Sequence, residues 1–289
     1  MISIILILLF LFSVLSVPVC HGVISGLYLY GMKIFPGLFI SFILTNILVR
    51  ILQQKNINNP WILVITGVMT GFPNGAYICS WYNKNNPKNR LGDMLAGIIN
   101  IPSPAFLISY VYINILEKCI SLPVFLALTY TPVILCSYMV ILLFRDKDNK
   151  KDKIPHIQND KKLIFHFFEE AVDSSINTAL KLGAYVIIFS VIVNIIMHFS
   201  HGNTAGLLIS YLFEISNGLA IIKNAGIPMN ITVLLTVLLD AFGGVCIIMQ
   251  TKSICSSYIS IKKYIYQKLV LCIVTLATTY LLIYVLNIL

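Results

Sequence analysis

Two acidic residues lie deep in apolar stretches of this chain, and each stands beside residues that interrupt a helix. Glu214 opens the segment EISNG (214–218), and Asp240 opens the segment DAFGG (240–244). If these stretches cross a membrane, both carboxyl groups are expected to face protein or water, because a charge at the bilayer centre costs about 2.5–3.5 kcal/mol on insertion scales. Each could contact a solute or hold a coupling proton or cation. The alternative is that each caps a half-helix or is paired structurally.

The first half of the chain has two interruptions of the same kind, GFPNG (71–75) and NIPSP (100–104). Neutral polar side chains at or near the four interruptions could hydrogen-bond a solute, and each is equally suited to cap a half-helix: Asn74, Asn100, Ser103, Asn217 and Gln250. Glycines there are expected to allow tight backbone: Gly71, Gly75, Gly218, Gly243 and Gly244. Prolines are expected to end the helices: Pro73, Pro102 and Pro104.

The composition predicts an all-α polytopic membrane protein. The 289 residues are 58% hydrophobic and only 11% charged, whereas a soluble domain has about 25% charged residues. Non-helical backbone at membrane depth leaves polar groups unpaired at several kcal/mol each, so the interruptions are expected to be buried in protein or to line a wet cavity. Brought together, they would offer free N–H groups to an anion or polar ligand, and carbonyl groups to a cation.

A helix needs about 20 apolar residues to cross a membrane. Seven crossings are predicted on this basis: 2–20, 27–49, 91–117, 122–144, 177–199, 228–250 and 269–289. Two further segments, 61–82 and 205–222, are predicted to be re-entrant hairpins that enter from opposite sides. The first span is interpreted as retained, because it lacks the basic start and the cleavage site of a signal peptide.

The distribution of cations favours this topology over one in which 61–82 crosses completely. With both hairpins re-entrant, sixteen of the twenty Lys and Arg residues lie on one face, which is the cytoplasmic face by the positive-inside rule. Lys118 and Lys223 lie opposite. The N-terminus is then cytoplasmic.

The chain divides into two membrane halves that echo each other weakly. Residues 1–144 form the first half and 177–289 the second, and 145–176 form a cytoplasmic loop followed by an interfacial helix. Each half has a span, then a hairpin, then a broken crossing. Since the hairpins point in opposite directions, the repeats would be inverted, which is an architecture of secondary transporters.

Four motifs in this order also resemble a known family. GFPNGAYICSWY, NIPSPAFLISYV, FEISNGL and AFGGVCIIMQ resemble signature stretches of the YlbJ-type sporulation integral membrane proteins, within the nucleoside-recognition (Gate) group, which is similar to concentrative nucleoside transporters. The match covers about residues 27–250. Phe72 stands where the family commonly has Tyr, and Ile101 where a second Asn is common.

The resemblance implies a sporulation membrane protein that moves a small solute, dipicolinic acid being favoured, across the outer forespore membrane. It assigns the solute or ion site to thirteen motif positions: Gly71, Pro73, Asn74, Gly75, Asn100, Ser103, Pro104, Glu214, Asn217, Gly218, Gly243, Gly244 and Gln250. Asp240 is added to these candidate site residues because it is an acid beside a helix break in an apolar stretch, and not because of the resemblance. An acidic Glu214 suits a neutral nucleoside or heterocycle better than the dipicolinate dianion, so that alternative stays open, as does a non-transporting sensor or assembly factor of the spore envelope.

Other functional classes find no support in the sequence. Walker and intramembrane-protease motifs are absent, so no enzyme activity is predicted. The seven cysteines form no CxxC pair, and neither a metal site nor an organic cofactor is expected. Sodium or a proton is the candidate coupling ion. The net charge of +9 is interpreted as a topology signal rather than as nucleic-acid binding, and the expected partners are the solute, the lipid bilayer and, in an oligomer, further copies of the chain.

Overall fold

Helices make up nearly all of the structure. The computed structural model describes residues 15–54, 59–86, 90–144, 161–255 and 258–286, and no strand occurs within these ranges. Long α-helices alternate with short ones that end at the interruptions found in the sequence. The predicted all-α class is confirmed.

The first half contains seven α-helices, two of which continue as π-helix. They are α1 (Ser16–Tyr28, continuing as π-helix Leu29–Ile34), α2 (Phe35–Gln54), α3 (Pro60–Thr70), α4 (Asn74–Asn85), α5 (Leu91–Ile99), α6 (Pro104–Phe106, continuing as π-helix Leu107–Ile115) and α7 (Leu122–Phe144). The second half contains six: α8 (Lys161–Phe199), α9 (Thr204–Phe213), α10 (Ile215–Asn224), α11 (Met229–Phe242), α12 (Gly244–Cys255) and α13 (Ile261–Leu286).

Five stretches of helix in the described ranges are long and apolar enough to cross a membrane: Leu91–Ile115, Leu122–Phe144, Phe168–Phe199, Met229–Cys255 and Ile261–Ile283. A sixth would consist of Ser16–Ile34 and Leu38–Val49, which are bent by 60° relative to each other. These spans indicate a helical protein that is integral to a membrane.

The start of the chain differs from the predicted spans 2–20 and 27–49. Residues 1–14 lie outside the described ranges, but from Ser16 the chain is helical without a break through the expected gap at 21–26. The bend comes later, between Ile34 and Leu38, where Pro36 removes a backbone donor and strains the helix.

The expected boundary between an interfacial helix and a span near residue 176 is also not observed. Lys161–Phe199 is one helix of 39 residues, because no glycine or proline stands near residue 176 and the Ser175 hydroxyl there donates to the Ala171 carbonyl within the helix. Most of the predicted cytoplasmic loop, residues 145–160, lies outside the described ranges.

Side-chain caps fix the start of several short helices. The Asn59 carboxamide oxygen accepts a hydrogen bond from the Trp61 amide at 2.9 Å, with Pro60 at the first helical position. Asn203 caps α9 in the same way, through the Gly206 amide at 2.9 Å. Asparagine satisfies orphan amides at N-termini, and proline lacks the amide that would be left unpaired.

Two clusters of buried apolar side chains hold the helices together. The first cluster joins α2, α7, α8, α10, α11 and the second π-helix through Phe42, Phe125, Leu182, Leu219, Val237 and Leu107. The second cluster joins α3, α4, α5, the end of α7, the end of α12 and the start of α13 through Leu63, Ile78, Leu95, Ile141, Cys255 and Tyr264.

The order of elements occurs twice along the chain. A long helix, two short helices, a broken long helix and an unbroken one follow each other as α2, α3–α4, α5–α6 and α7, and again as α8, α9–α10, α11–α12 and α13. Within each repeat the two short helices contact each other. The sequence echo therefore has a counterpart in the element order.

Candidate functional site

The GFPNG segment lies directly against the NIPSP break, and we call this contact the first junction. The Phe72 amide donates to the Ile101 carbonyl at 2.9 Å, and the Ala76 amide donates to the Asn100 carboxamide oxygen at 3.2 Å. Gly71 has φ 70°, and a Cβ atom there would overlap Ser103. The two interruptions of the first half thus satisfy each other's backbone, as burial away from water requires.

Asn100 uses its whole side chain within the protein. Besides accepting from Ala76, its carboxamide nitrogen donates to Thr251 Oγ1 at 3.2 Å and to Tyr264 Oη at 2.8 Å. Its side chain is completely buried. Of the two roles left open by the sequence, the structural one is observed for Asn100, which ties the first junction to α12 and α13.

The second junction brings the α9–α10 turn against the break between α11 and α12. Gly243 adopts the left-handed conformation, with φ 82°, that ends α11. Gly244 lies so close to α9 that a Cβ atom there would be 3.2 Å from the carbonyl oxygens of Leu212 and Phe213. Each predicted hairpin tip therefore meets the broken helix of its own half.

The turn of the second junction is shorter than the predicted EISNG. Glu214 alone separates α9 from α10, with extended φ −141° and ψ 127°, and Asn217 and Gly218 lie within α10. The Glu214 carboxylate accepts from the Asn217 amide at 2.7 Å, so one capping residue is enough to stop and restart the helix.

A cavity lies between the two junctions. Its atom-free volume is about 380 Å³ when space open to solvent is included, although its enclosed part holds only about one or two water molecules. The two junctions, the long helices of both halves and α12 line the cavity. The lining residues are Phe72, Ser103, Phe106, Ile34, Leu38, Leu182, Val186, Glu214, Ile215, Ser216, Ile247 and Gln250.

Few polar groups face this largely apolar cavity. Among its lining residues Glu214 is the only ionisable one. Gln250 Oε1 is buried without a hydrogen-bond partner, and Ser216 Oγ lies near the Glu214 carboxylate without reaching hydrogen-bond geometry. Buried polar atoms normally have partners, so these two are candidates to bind a solute or water.

Asp240 does not line the cavity. It lies in the last turn of α11, completely buried, and neither carboxyl oxygen has a hydrogen-bond partner in the described structure. The Tyr130 hydroxyl, also buried and unpaired, lies within electrostatic range. The structure thus separates Asp240 from the other predicted site residues.

The remaining predicted residues shape or tie the two junctions. Asn74 donates to Thr45 Oγ1 at 3.4 Å, Asn217 donates to Ser190 Oγ at 3.1 Å, and Ser103 caps α6 through the Phe106 amide at 3.3 Å. Of the predicted positions without polar side chains, Gly71, Pro73 and Gly243 lie between helices, Gly75, Pro104 and Gly244 lie in the first turn of a helix, and Gly218 lies within α10. Of the fourteen predicted residues, only Ser103, Glu214 and Gln250 line the cavity.

At three of the helix N-termini that were expected to be free, one amide has an acceptor within the protein. Glu214 caps α10 and Ser103 caps α6 with their own side chains, and Asn100 accepts from an amide in the first turn of α4. The protein therefore supplies its own acceptors where an anion was expected to bind.

Lys268 is the main feature that the sequence argument missed. It had been placed among the cytoplasmic cations, but its side chain is completely buried and donates to the carbonyl oxygens of Asn100 and Ala241. The available signal was its position in YIYQKLVL, where an isolated lysine runs into an apolar helix.

No group of three or more His, Cys, Asp or Glu side chains within the described ranges could hold a metal ion. The site is a small, largely apolar cavity whose lining includes one acid, one amide and two hydroxyl groups. These groups suit hydrogen bonding to a small polar solute. No protein-family profile, curated protein or solved structure matches the chain.

Proposed function

We propose that this protein is a membrane carrier that moves a small heterocyclic solute by alternating access. The observation that carries the proposal is the cavity, because both halves of the chain line it and both junctions border it. A site between two repeats built from broken helices is the arrangement that secondary transporters use. In this view the polar groups of Glu214, Ser216 and Gln250 bind the solute.

The proposed topology has seven crossings and two oppositely oriented re-entrant hairpins, α3–α4 and α9–α10. Packing of the described residues supports the first hairpin, since Leu63 near the start of α3 and Tyr82 near the end of α4 share one core cluster. Ile222, near the end of α10, belongs to the other cluster. This is what hairpins entering from opposite sides would produce.

The cavity chemistry favours a solute without net negative charge. The approach of a dianion is opposed by the Glu214 carboxylate, and no cationic side chain is among the lining residues. A neutral nucleoside or similar heterocycle fits the amide and hydroxyl groups better. Dipicolinic acid, which the resemblance to YlbJ-type proteins suggests, fits if its own carboxyl groups or Glu214 are protonated, or if a cation enters with it.

The resemblance also supplies the proposed biological setting, which is transport across the outer forespore membrane during sporulation. Either solute is larger than the one or two water molecules that the enclosed part of the cavity holds. Binding therefore requires the junctions to separate, and this is the motion that alternating access supplies.

Flux into proteoliposomes tests the proposal. Dipicolinate entry is followed by the luminescence of terbium trapped inside, and entry of a radiolabelled nucleoside is measured in parallel with both gradient directions. We expect saturable entry of one of the two solutes with wild-type protein, and at least a tenfold loss with Glu214→Gln, which keeps the shape of the side chain but removes its charge and weakens the α10 cap.

The controls separate transport from insertion and folding. Empty vesicles set the baseline, and Asp173→Asn, which changes an exposed carboxyl outside the cavity lining, should transport like wild type. If correctly inserted wild-type protein admits neither solute above empty vesicles, the carrier proposal for these two classes fails, and a sensor or assembly role becomes the better hypothesis.

A further inference from the structure

Lys268 places a positive charge in the interior of a candidate membrane span. Its side chain is completely buried within Ile261–Ile283. Among the described residues no carboxylate lies within ion-pair distance of its ammonium group. Burying an uncompensated charge is costly, so the surroundings of this ammonium group must stabilise it in another way.

The partners of Lys268 are carbonyl oxygens at the two broken helices. Its Nζ atom donates to the Asn100 carbonyl at 2.6 Å and to the Ala241 carbonyl at 2.8 Å. Asn100 follows the last residue of α5, and Ala241 lies in the last turn of α11. Carbonyl groups at a helix C-terminus lack intrahelical partners and form its negative end, so two half-helix ends face one cation.

The Tyr264 ring adds a third favourable surface, because its centroid is 5.9 Å from Nζ. Tyr264 also binds Asn100 through its hydroxyl at 2.8 Å. Lys268 and Tyr264 are one helical turn apart on α13, and both contact Asn100 at the break between α5 and α6. The ammonium group thus links the broken crossing of the first half to that of the second.

Carbonyl groups exposed at broken helices are the ligands that many secondary transporters use for sodium. We infer that the Lys268 ammonium group is a tethered cation at such a position, that it joins the two broken helices, and that the protein needs no metal cation to do so. Three N–H donors suit two carbonyl groups and a ring face, whereas a metal ion would require further oxygen ligands.

The inference deepens the proposed function, since it predicts a carrier that works without sodium, and that consequence rests on the transport proposal. The tethered cation itself does not. It is tested by the stability of the purified protein in detergent, so its failure is distinguishable from a failure to transport.

The first arm uses the unaltered protein. Its melting temperature is measured in NaCl, KCl and choline chloride at equal ionic strength, and we expect the three values to agree within about 1 °C. A saturable rise specific to sodium would overturn the inference, because a metal cation site would then be present in the wild-type protein.

The second arm removes the charge and returns it in solution. Lys268→Ala deletes three methylene groups and the ammonium group, and we expect a fall in melting temperature of roughly 5–10 °C. Propylammonium chloride has the deleted atoms, and we expect it to restore at least half of the loss, whereas 1-propanol, which has the shape without the charge, should not.

Two matched variants complete the test. Lys268→Met fills the space without a charge and should be destabilised without rescue by propylammonium, and Lys262→Ala, at an exposed lysine on the same helix, should resemble wild type. Equal rescue by propanol and propylammonium, no rescue of Lys268→Ala by either, or wild-type stability of Lys268→Met would overturn the inference. If Lys268→Ala cannot be purified, the salt comparison and Lys268→Met still decide the matter.

Discussion

At the scale of single residues, Glu214 is both a structural cap and a cavity residue. Its carboxylate holds the Asn217 amide and borders the cavity beside Ser216. The sequence indicated that Glu214 is important because an acidic side chain in a membrane span is energetically costly. Helix capping and solute binding, the two roles that the sequence leaves open for Glu214, are compatible, since a capping side chain at the edge of a cavity can also contact a solute.

Asp240 illustrates the limit of the same argument. Its sequence environment resembles that of Glu214, yet it does not line the cavity and has no hydrogen-bond partner in the described structure. Which face of a helix an acid occupies depends on how that helix packs, and in a stretch apolar on all sides the sequence carries no periodicity to show this. Lys268 escaped notice for the same reason.

We predict that Asp240→Asn leaves the melting temperature unchanged or raises it by a few degrees. The substitution keeps the shape of the side chain and removes a buried carboxyl group whose two oxygens have no hydrogen-bond partner in the described structure. The matched control is Asp93→Asn, because the Asp93 carboxylate accepts from the Ser260 amide and from Lys263, both at 2.7 Å. Losing these contacts should cost about 1–3 kcal/mol, so the control should melt at a lower temperature. The opposite order would mean that Asp240 makes an ionic contact.

At the scale of elements, the sequence located the interruptions better than it located their ends. Glycine and proline in apolar stretches predicted all four breaks, because few other residues end a helix there. The second turn was predicted to span five residues, but Glu214 alone forms it. A capping side chain that restarts a helix at once cannot be told from a longer turn by residue type.

The contact between the breaks also lay beyond the sequence. Each tip meets the broken helix of its own half because unpaired backbone at this depth needs a partner, but nothing in the residue order indicates which break pairs with which. At three of the helix N-termini that were expected to be free for an anion, Asn100, Ser103 or Glu214 accepts from one amide.

Gly71→Ala is predicted to destabilise the protein far more than Gly202→Ala. Both glycines have φ 70°, and Gly71 also has ψ −175°, a combination that essentially only glycine adopts. At Gly71 the added Cβ also overlaps the Ser103 backbone, whereas at Gly202 it meets nothing within 4 Å. The difference between the two melting temperatures therefore reports the strained backbone of Gly71 and its close contact with Ser103 together. Equal effects would show that the GFPNG segment and the NIPSP break are not in close contact.

At the scale of the whole molecule, the order of elements occurs twice along the chain, and the inverted arrangement of the two repeats stays a prediction. Two ion pairs lie at helix ends that are predicted to be on opposite sides of the membrane. Lys223 binds Glu117 at 2.7 Å, next to Lys118, and these were the two cations placed opposite the others. This ion pair lowers the pKa of the Glu117 carboxyl through its hydrogen bond to Lys223. Lys263 binds Asp93 at the other predicted face.

Cysteine labelling tests these sides. The Cys119 side chain is exposed beside Glu117, and a membrane-impermeant maleimide should label it from outside intact cells that are made to carry the protein in the plasma membrane. Lys252→Cys in a Cys119→Ser background should be labelled only after permeabilisation. Partial desolvation raises the pKa of the Cys119 thiol, so the reaction should be faster at higher pH, because the thiolate is the reactive form. Labelling of both positions from one side would contradict the topology.

The central claim is that the cavity between the two junctions is the path of the solute. Val186 lines this cavity from α8, and two residues later Ile188 is 53% exposed on the same helix. The most direct measurement compares solute flux into proteoliposomes for wild type, Val186→Phe and Ile188→Phe, each confirmed as monodisperse and inserted. The account predicts that Val186→Phe abolishes flux by filling the cavity while Ile188→Phe retains it. Wild-type flux through a folded Val186→Phe protein would contradict the claim.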